Sequence, residues 1–119
     1  ASFTQIAGIE ALTGPQDEAR AMVAEFERRR DVIVSGLNEI DGFSCIQPEG
    51  AFYVFPNITA LGRTSKELET YFLEECGVAM LTGTSFGALG EGYIRLSYAN
   101  SVENITEALS RIKDGVARL

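Results

Sequence analysis

Arg95 stands in the middle of "GEGYIRLSYAN" (90–100), a stretch that otherwise reads as a half-buried strand. Alternation along a strand sends Tyr93, Arg95 and Ser97 to one face and Ile94, Leu96 and Tyr98 to the other. A guanidinium in that position has two uses. It can sit on the wet side of a sheet, where arginine is ordinary, or its planar fork can take both oxygens of a carboxylate. Immediately before it runs "TGTSFGALGEG" (82–92), with four glycines in eleven residues and Phe86 in the middle. So long a connection is either a wall of a binding site or a mere link. It is not a phosphate loop, because no Lys-Ser/Thr pair follows Gly87 and the segment leads into a strand. A third stretch, "EGAFYVF" (49–55), places Phe52 and Val54 on one face and Ala51, Tyr53 and Phe55 on the other, as core or as pocket lining.

The missing residue types narrow the chemistry further. The chain has no histidine, which removes Ser-His-Asp and Cys-His catalysis and His-based zinc sites. Its only lysines are Lys66 and Lys113. Lys66 falls near the start of a helix and Lys113 near the end of another, where a cation suits the helix dipole. The two cysteines, Cys45 and Cys76, read as reduced core thiols. A net charge of −7 argues against a nucleic-acid partner, and the one dense basic run, Arg28-Arg29-Arg30, is interleaved with Glu25, Glu27 and Asp31 as on a solvated helix face. No apolar run reaches the ~18 residues of a membrane span, so a cytoplasmic protein without a membrane partner is expected.

The elements that must position these residues can be read from periodicity. Phe3, Ile6, Ile9 and Leu12 have helical spacing and "TGP" (13–15) ends that helix. A longer helix runs from about Asp17 to Glu39, with Ala19, Met22, Val23, Phe26, Ile33, Leu37 and Ile40 as its apolar stripe. "FSCIQ" (43–47) and "AFYVFP" (51–56) read as a hairpin turned by "PEG" (48–50). Thr64 and Glu67 have capping-box spacing ahead of a helix with Leu68, Tyr71, Phe72 and Cys76 inward, closed by Gly77. "VAML" (78–81) and residues 93–98 are the remaining strands, and a last helix starts at an Asn100 or Ser101 cap. Its inward residues are Val102, Ile105, Leu109, Ile112 and Val116. This order predicts an α/β chain of the α+β type: one domain over 1–119, with a small, largely antiparallel sheet of three to four strands and helices mainly on one side. The chain starts at or just ahead of a helix without an initiating Met, as a fragment of a larger protein would.

Three motifs in order, "PEGAFYVFP" (48–56), "GVAMLTGTSFG" (77–87) and "GEGYIRLSYAN" (90–100), resemble the C-terminal small domain of class I/II, fold-type-I pyridoxal-phosphate-dependent aminotransferases, with the aspartate aminotransferase-like branch nearest. "FERRRDVIVSGLNEIDGF" (26–43) is similar to the long helix of that family, so the likeness covers nearly the whole chain. The resemblance implies that Arg95 binds the substrate α-carboxylate and that Phe52, Tyr53 and Phe86 line the same pocket. It implies a parent enzyme that moves an amino group between an amino acid and a 2-oxo acid, acts as a homodimer and carries pyridoxal phosphate. The helix within 1–14 would join a large domain lying outside these residues. The Schiff-base lysine and the acidic partner of the pyridinium belong to that domain, and neither Lys66 nor Lys113 lies in a matching motif. The 119 residues are therefore expected to hold no catalytic residue, no metal and no cofactor alone, and to be inactive alone. The family's loop begins with proline where this chain has Thr82. Two other readings stay open: another pyridoxal-phosphate enzyme of the same fold, such as a carbon–sulfur lyase, or a stand-alone binding module.

Overall fold

A computed structural model describes all 119 residues as four α-helices and a three-stranded antiparallel sheet, an α+β arrangement. In chain order the elements are α1 (Ser2–Thr13), α2 (Asp17–Asn38), β1 (Tyr53–Val54), α3 (Ser65–Glu74), β2 (Leu81–Thr82), β3 (Ile94–Ser97) and α4 (Val102–Val116). The sheet order is β1-β3-β2, so the strand bearing Arg95 is central. Its register pairs Tyr53 with Ser97 and Val54 with Leu96 on one side, and Leu81 with Arg95 and Thr82 with Ile94 on the other.

Alternation on β3 divides the molecule. Val54, Ile94, Leu96 and Tyr98 face one continuous core with Ile33 and Leu37 of α2, Leu68 and Phe72 of α3, and Ile105 and Ile112 of α4. The helices thus cover one face of the sheet. Where α4 passes α3, Gly115 leaves its carbonyl open to the Tyr71 hydroxyl at 2.9 Å, and a Cβ there would collide with the Cys76 sulfur. Cys45 and Cys76 are both buried, unpaired thiols. The helix ends follow their caps. The Thr64 hydroxyl accepts from Glu67 N while the Glu67 carboxylate accepts from Thr64 N, and Ser101 accepts from Asn104 N. The basic run of α2 is an ion-paired surface: Arg28 and Arg29 both hold Glu25, which lowers its carboxyl pKa to about 2, chiefly through the hydrogen bond from Arg28.

The expected hairpin does not form. Residues 43–47 make a single bridge, Ser44 to Asn57, and β1 pairs with β3 instead. The reason is local. The Asn38 side chain donates to the Cys45 carbonyl at 2.9 Å and accepts from the Cys45 amide at 2.8 Å, using the groups a ladder would need. "VAML" likewise contributes only Leu81 to β2, because Val78 N bonds back to the end of α3 at Phe72 O. The apolar stripe of α2 is buried only in its second half: Ile33, Val34 and Leu37 are in the core, whereas Met22 and Val23 are exposed.

Helix α1 buries none of its residues, and Phe3, Ile6, Ile9 and Leu12 are all largely exposed. The chain has a radius of gyration of 17.5 Å, against roughly 13–14 Å for a compact domain of this length. The excess reflects α1 and the first half of α2 reaching beyond the core. No helix is long and apolar enough to cross a membrane.

Candidate functional site

The uncovered face of the sheet carries Arg95 and Ser97 from β3, Tyr93 just ahead of it, Tyr53 from β1 and Leu81 from β2. Arg95 is half-buried, and its Cζ lies 4.3 Å from the centroid of the Tyr53 ring and 4.0 Å from that of Phe86. Tyr53 reaches it from the β1 side of the central strand and Phe86 from the loop that follows β2 on the other side. Each cation–π contact contributes roughly 0.5–2 kcal/mol, depending on solvent exposure. None of the six ion pairs in the structure includes Arg95. Beside it, Tyr53, Ala79, Met80, Leu81, Arg95 and Ser97 line a depression of about 170 Å³ in which Arg95 is the sole charged group. A guanidinium held by two rings, without a counter-ion, over a small concavity is equipped to bind a planar anion.

The sequence brings these rings together through a chain of aromatics. Phe55 stacks on Tyr93, with centroids 5.2 Å apart and planes 5° from parallel, and meets Phe86 edge-on at 6.3 Å. Phe52 stands at the border of the two faces, 4.2 Å from Tyr53 and 6.3 Å from Phe26 of α2. The structure therefore brings Tyr53 and Phe86 onto Arg95, whereas Phe52 touches the site through Tyr53.

The base of the glycine-rich loop is clamped by residues the sequence reading did not single out. Ser65, fully buried at the first turn of α3, donates from its amide to Glu91 Oε1 at 2.9 Å and from its hydroxyl at 3.2 Å. The same hydroxyl accepts from Gly92 N at 2.8 Å. Across the loop, Thr82 N donates to Glu69 Oε1 at 3.1 Å, and Glu69 also holds Lys66. Gly83 and Gly90 lie backbone to backbone, with no room for a Cβ on either. These bonds hold both carboxyl groups below their usual range: that of Glu91 mainly through the Ser65 amide, that of Glu69 mainly through Lys66. The loop folds as two short 3-10 turns, Gly83–Phe86 and Ala88–Gly90, with Phe86 presented between them. The one sequence signal for this clamp is an acid between two glycines, Gly90-Glu91-Gly92.

A family model described as aminotransferase class I and II matches residues 1–112. The chain belongs to that family. Among curated relatives, the aspartate aminotransferase of Pyrococcus horikoshii is 44% identical over 115 residues, covering 95% of this chain and 29% of the relative. The crystal structure of the aspartate aminotransferase from Rhizobium meliloti superposes with a TM-score of 0.92 at 39% identity, covering all of this chain and 32% of that one. An aromatic aminotransferase from Pyrococcus horikoshii gives a TM-score of 0.91 at 38% identity, over 98% of this chain and 31% of the other. This aminotransferase-family chain thus spans about a third of the length of the relatives it matches, at aspartate aminotransferase-like similarity.

Pyridoxal phosphate, the cofactor of the family, needs a lysine to carry it. The residues present do not fit that role. Lys66 is engaged by Glu69 on the exposed start of α3, and Lys113 borders a groove between α2 and α4, on the helix side of the sheet.

Proposed function

We propose that these 119 residues are the C-terminal small domain of a pyridoxal-phosphate-dependent aminotransferase, and that Arg95 binds the α-carboxylate of its amino-acid and 2-oxo-acid substrates. The observation that carries this reading is the unpaired guanidinium of Arg95, flanked by Tyr53 and Phe86 above an otherwise uncharged depression. A carboxylate taken by both arms of the fork replaces water with two charge-assisted hydrogen bonds, each contributing roughly 1.5–3 kcal/mol when solvent is excluded. The open face supplies the floor of a site whose other wall, and the cofactor-bearing lysine, come from residues outside this segment. Pyridoxal phosphate, when bound there, supplies the electron sink for chemistry at the α-carbon.

The part played by this chain is then orientation. Holding the carboxylate fixes the substrate at one end, which leaves the amino group and α-carbon aimed away from the sheet. Tyr53, Phe86 and Leu81 exclude water from around the ion pair. The exposed apolar face of α1 supports its role as the connection to the large domain, because Phe3, Ile6, Ile9 and Leu12 find no partner among these residues. A homodimer follows the family pattern. The different names of the relatives, aspartate and aromatic aminotransferases, leave the substrate side chain to be read from the remainder of the enzyme.

The test is turnover of the full-length enzyme with Arg95→Ala. Loss of the bidentate pair is expected to lower kcat/KM by about 100-fold or more, equivalent to about 3 kcal/mol. Turnover within a few-fold of the parent would overturn the assignment.

A further inference from the structure

The rings of Tyr53 and Phe86 approach the Arg95 guanidinium from opposite sides of β3, with Cζ 4.3 and 4.0 Å from their centroids. Both rings lie within cation–π distance of the guanidinium, which makes no ion pair within the chain. A carboxylate paired bidentately with the fork lies in the guanidinium plane and needs no space beside the rings. A tetrahedral oxyanion must put at least one oxygen out of that plane, against an aromatic face whose quadrupole is negative. Neither ring can swing aside cheaply. Phe86 is set edge-on against Phe55, which itself stacks on Tyr93, and the loop bearing Phe86 is bolted at its base by Ser65, Glu91 and the Gly83–Gly90 contact. Tyr53 is backed by Phe52 and fixed in the ladder opposite Ser97.

We infer that Phe86 and Tyr53 act as positioning residues that confine Arg95 to one plane and make the site selective for a planar α-carboxylate over a tetrahedral α-phosphonate. The inference rests on Arg95 being the α-carboxylate clamp, and deepens that reading by naming what sets its selectivity. Phe86 is the better handle, because its ring is half exposed at a loop tip and the core does not depend on it.

The experiment uses the full-length holoenzyme with its preferred L-amino acid, the α-aminophosphonate analogue of that amino acid as competitive inhibitor, and the corresponding amine, which lacks the carboxylate. The variants are Phe86→Leu, Phe86→Tyr and Arg95→Ala. Phe86→Leu is expected to raise KM for the amino acid roughly 10-fold, to bring the phosphonate at least as much closer to the carboxylate in affinity, and to lower turnover of the amine by clearly less than that of the amino acid. Phe86→Tyr, which keeps the ring, is expected to retain both the KM and the discrimination. A loss shared equally by amino acid and amine would mark a merely structural defect and overturn the inference. So would a Phe86→Leu enzyme with unchanged KM and unchanged discrimination; if Arg95→Ala still fails severely in that case, the clamp stands and only the role of the rings falls. Near-normal amino-acid turnover by Arg95→Ala would overturn both.

Discussion

Neighbouring residues along β3 and at its two ends live in opposite surroundings. Ile94, Leu96 and Tyr98 are 0%, 7% and 2% exposed and sit beneath three helices, whereas Tyr93, Arg95 and Ser97 line the face that no helix covers. The buried face is held by contacts within the chain. The open face gathers Tyr53, Phe55, Leu81, Phe86 and Tyr93 around one cation and gives that cation no counter-ion. The difference teaches that the helices and the buried face form the scaffold, while the open face is left uncovered within these residues. Core packing and an unpaired cation thereby fall to alternate residues along one stretch of chain.

Substitutions on the two faces should separate along the same line. The largest stability loss is expected from Ile94→Ala, which empties a fully buried site against the helices and should cost about 3–4 kcal/mol in denaturant unfolding. Substrate KM of the molecules that remain folded should stay within about two-fold. An equally large loss from Arg95→Ala would break the comparison, since the open face would then be structural. Ser65→Ala comes next. It leaves Gly92 N without its buried acceptor and removes one bond to Glu91, for about 2 kcal/mol by thermal unfolding. It should also weaken substrate binding, because the loop carrying Phe86 is fixed there. Tyr98→Phe removes only the 2.9 Å bond from the hydroxyl to the Ala51 carbonyl, and about 1 kcal/mol is expected. Ala51 is the one non-glycine residue at positive φ, 63°, so Ala51→Gly should be tolerated or slightly stabilising.

The smallest effect concerns pH. Glu69 and Glu91 both have carboxyl groups lowered by native hydrogen bonds, so they bind protons less readily folded than unfolded. Their contribution is fully present above the ordinary carboxylate range, roughly pH 4–5, and is lost as the pH falls below it. Melting temperature should therefore drop on acidification below about pH 4.5, and Glu91→Gln should make that drop shallower. An unchanged acid limb in Glu91→Gln would show that the loop clamp does not depend on the charge.

Much of this division was legible in the sequence, because period-two alternation through "YIRLSY" depends only on backbone geometry. The capping box at Thr64 and the cap at Ser101 were legible for the same reason: both are local. The strand partner of β1 was not. "FSCIQ" has strand composition, but the Asn38 amide, several residues away in another element, takes the Cys45 backbone groups, and no local pattern announces that. The site shows the same contrast. Arg95, Tyr53 and Phe86 could be named from motifs, whereas the pinning of Phe86 by Ser65 and Glu91 joins residues 26 apart and exists only once α3 has docked. Likewise the exposure of Met22, Val23 and all of α1 breaks the rule that an apolar stripe is buried within its own chain.

The central claim is that Arg95 recognises the α-carboxylate and contributes little to the fold. Its most direct test is the ratio of kcat/KM for an amino acid to that for the corresponding amine, measured for the full-length enzyme and for Arg95→Lys alongside their melting temperatures. Lysine keeps the charge but loses the fork, so the ratio is expected to fall about 100-fold while the melting temperature moves by no more than about 2 °C. A ratio unchanged by Arg95→Lys would contradict the account.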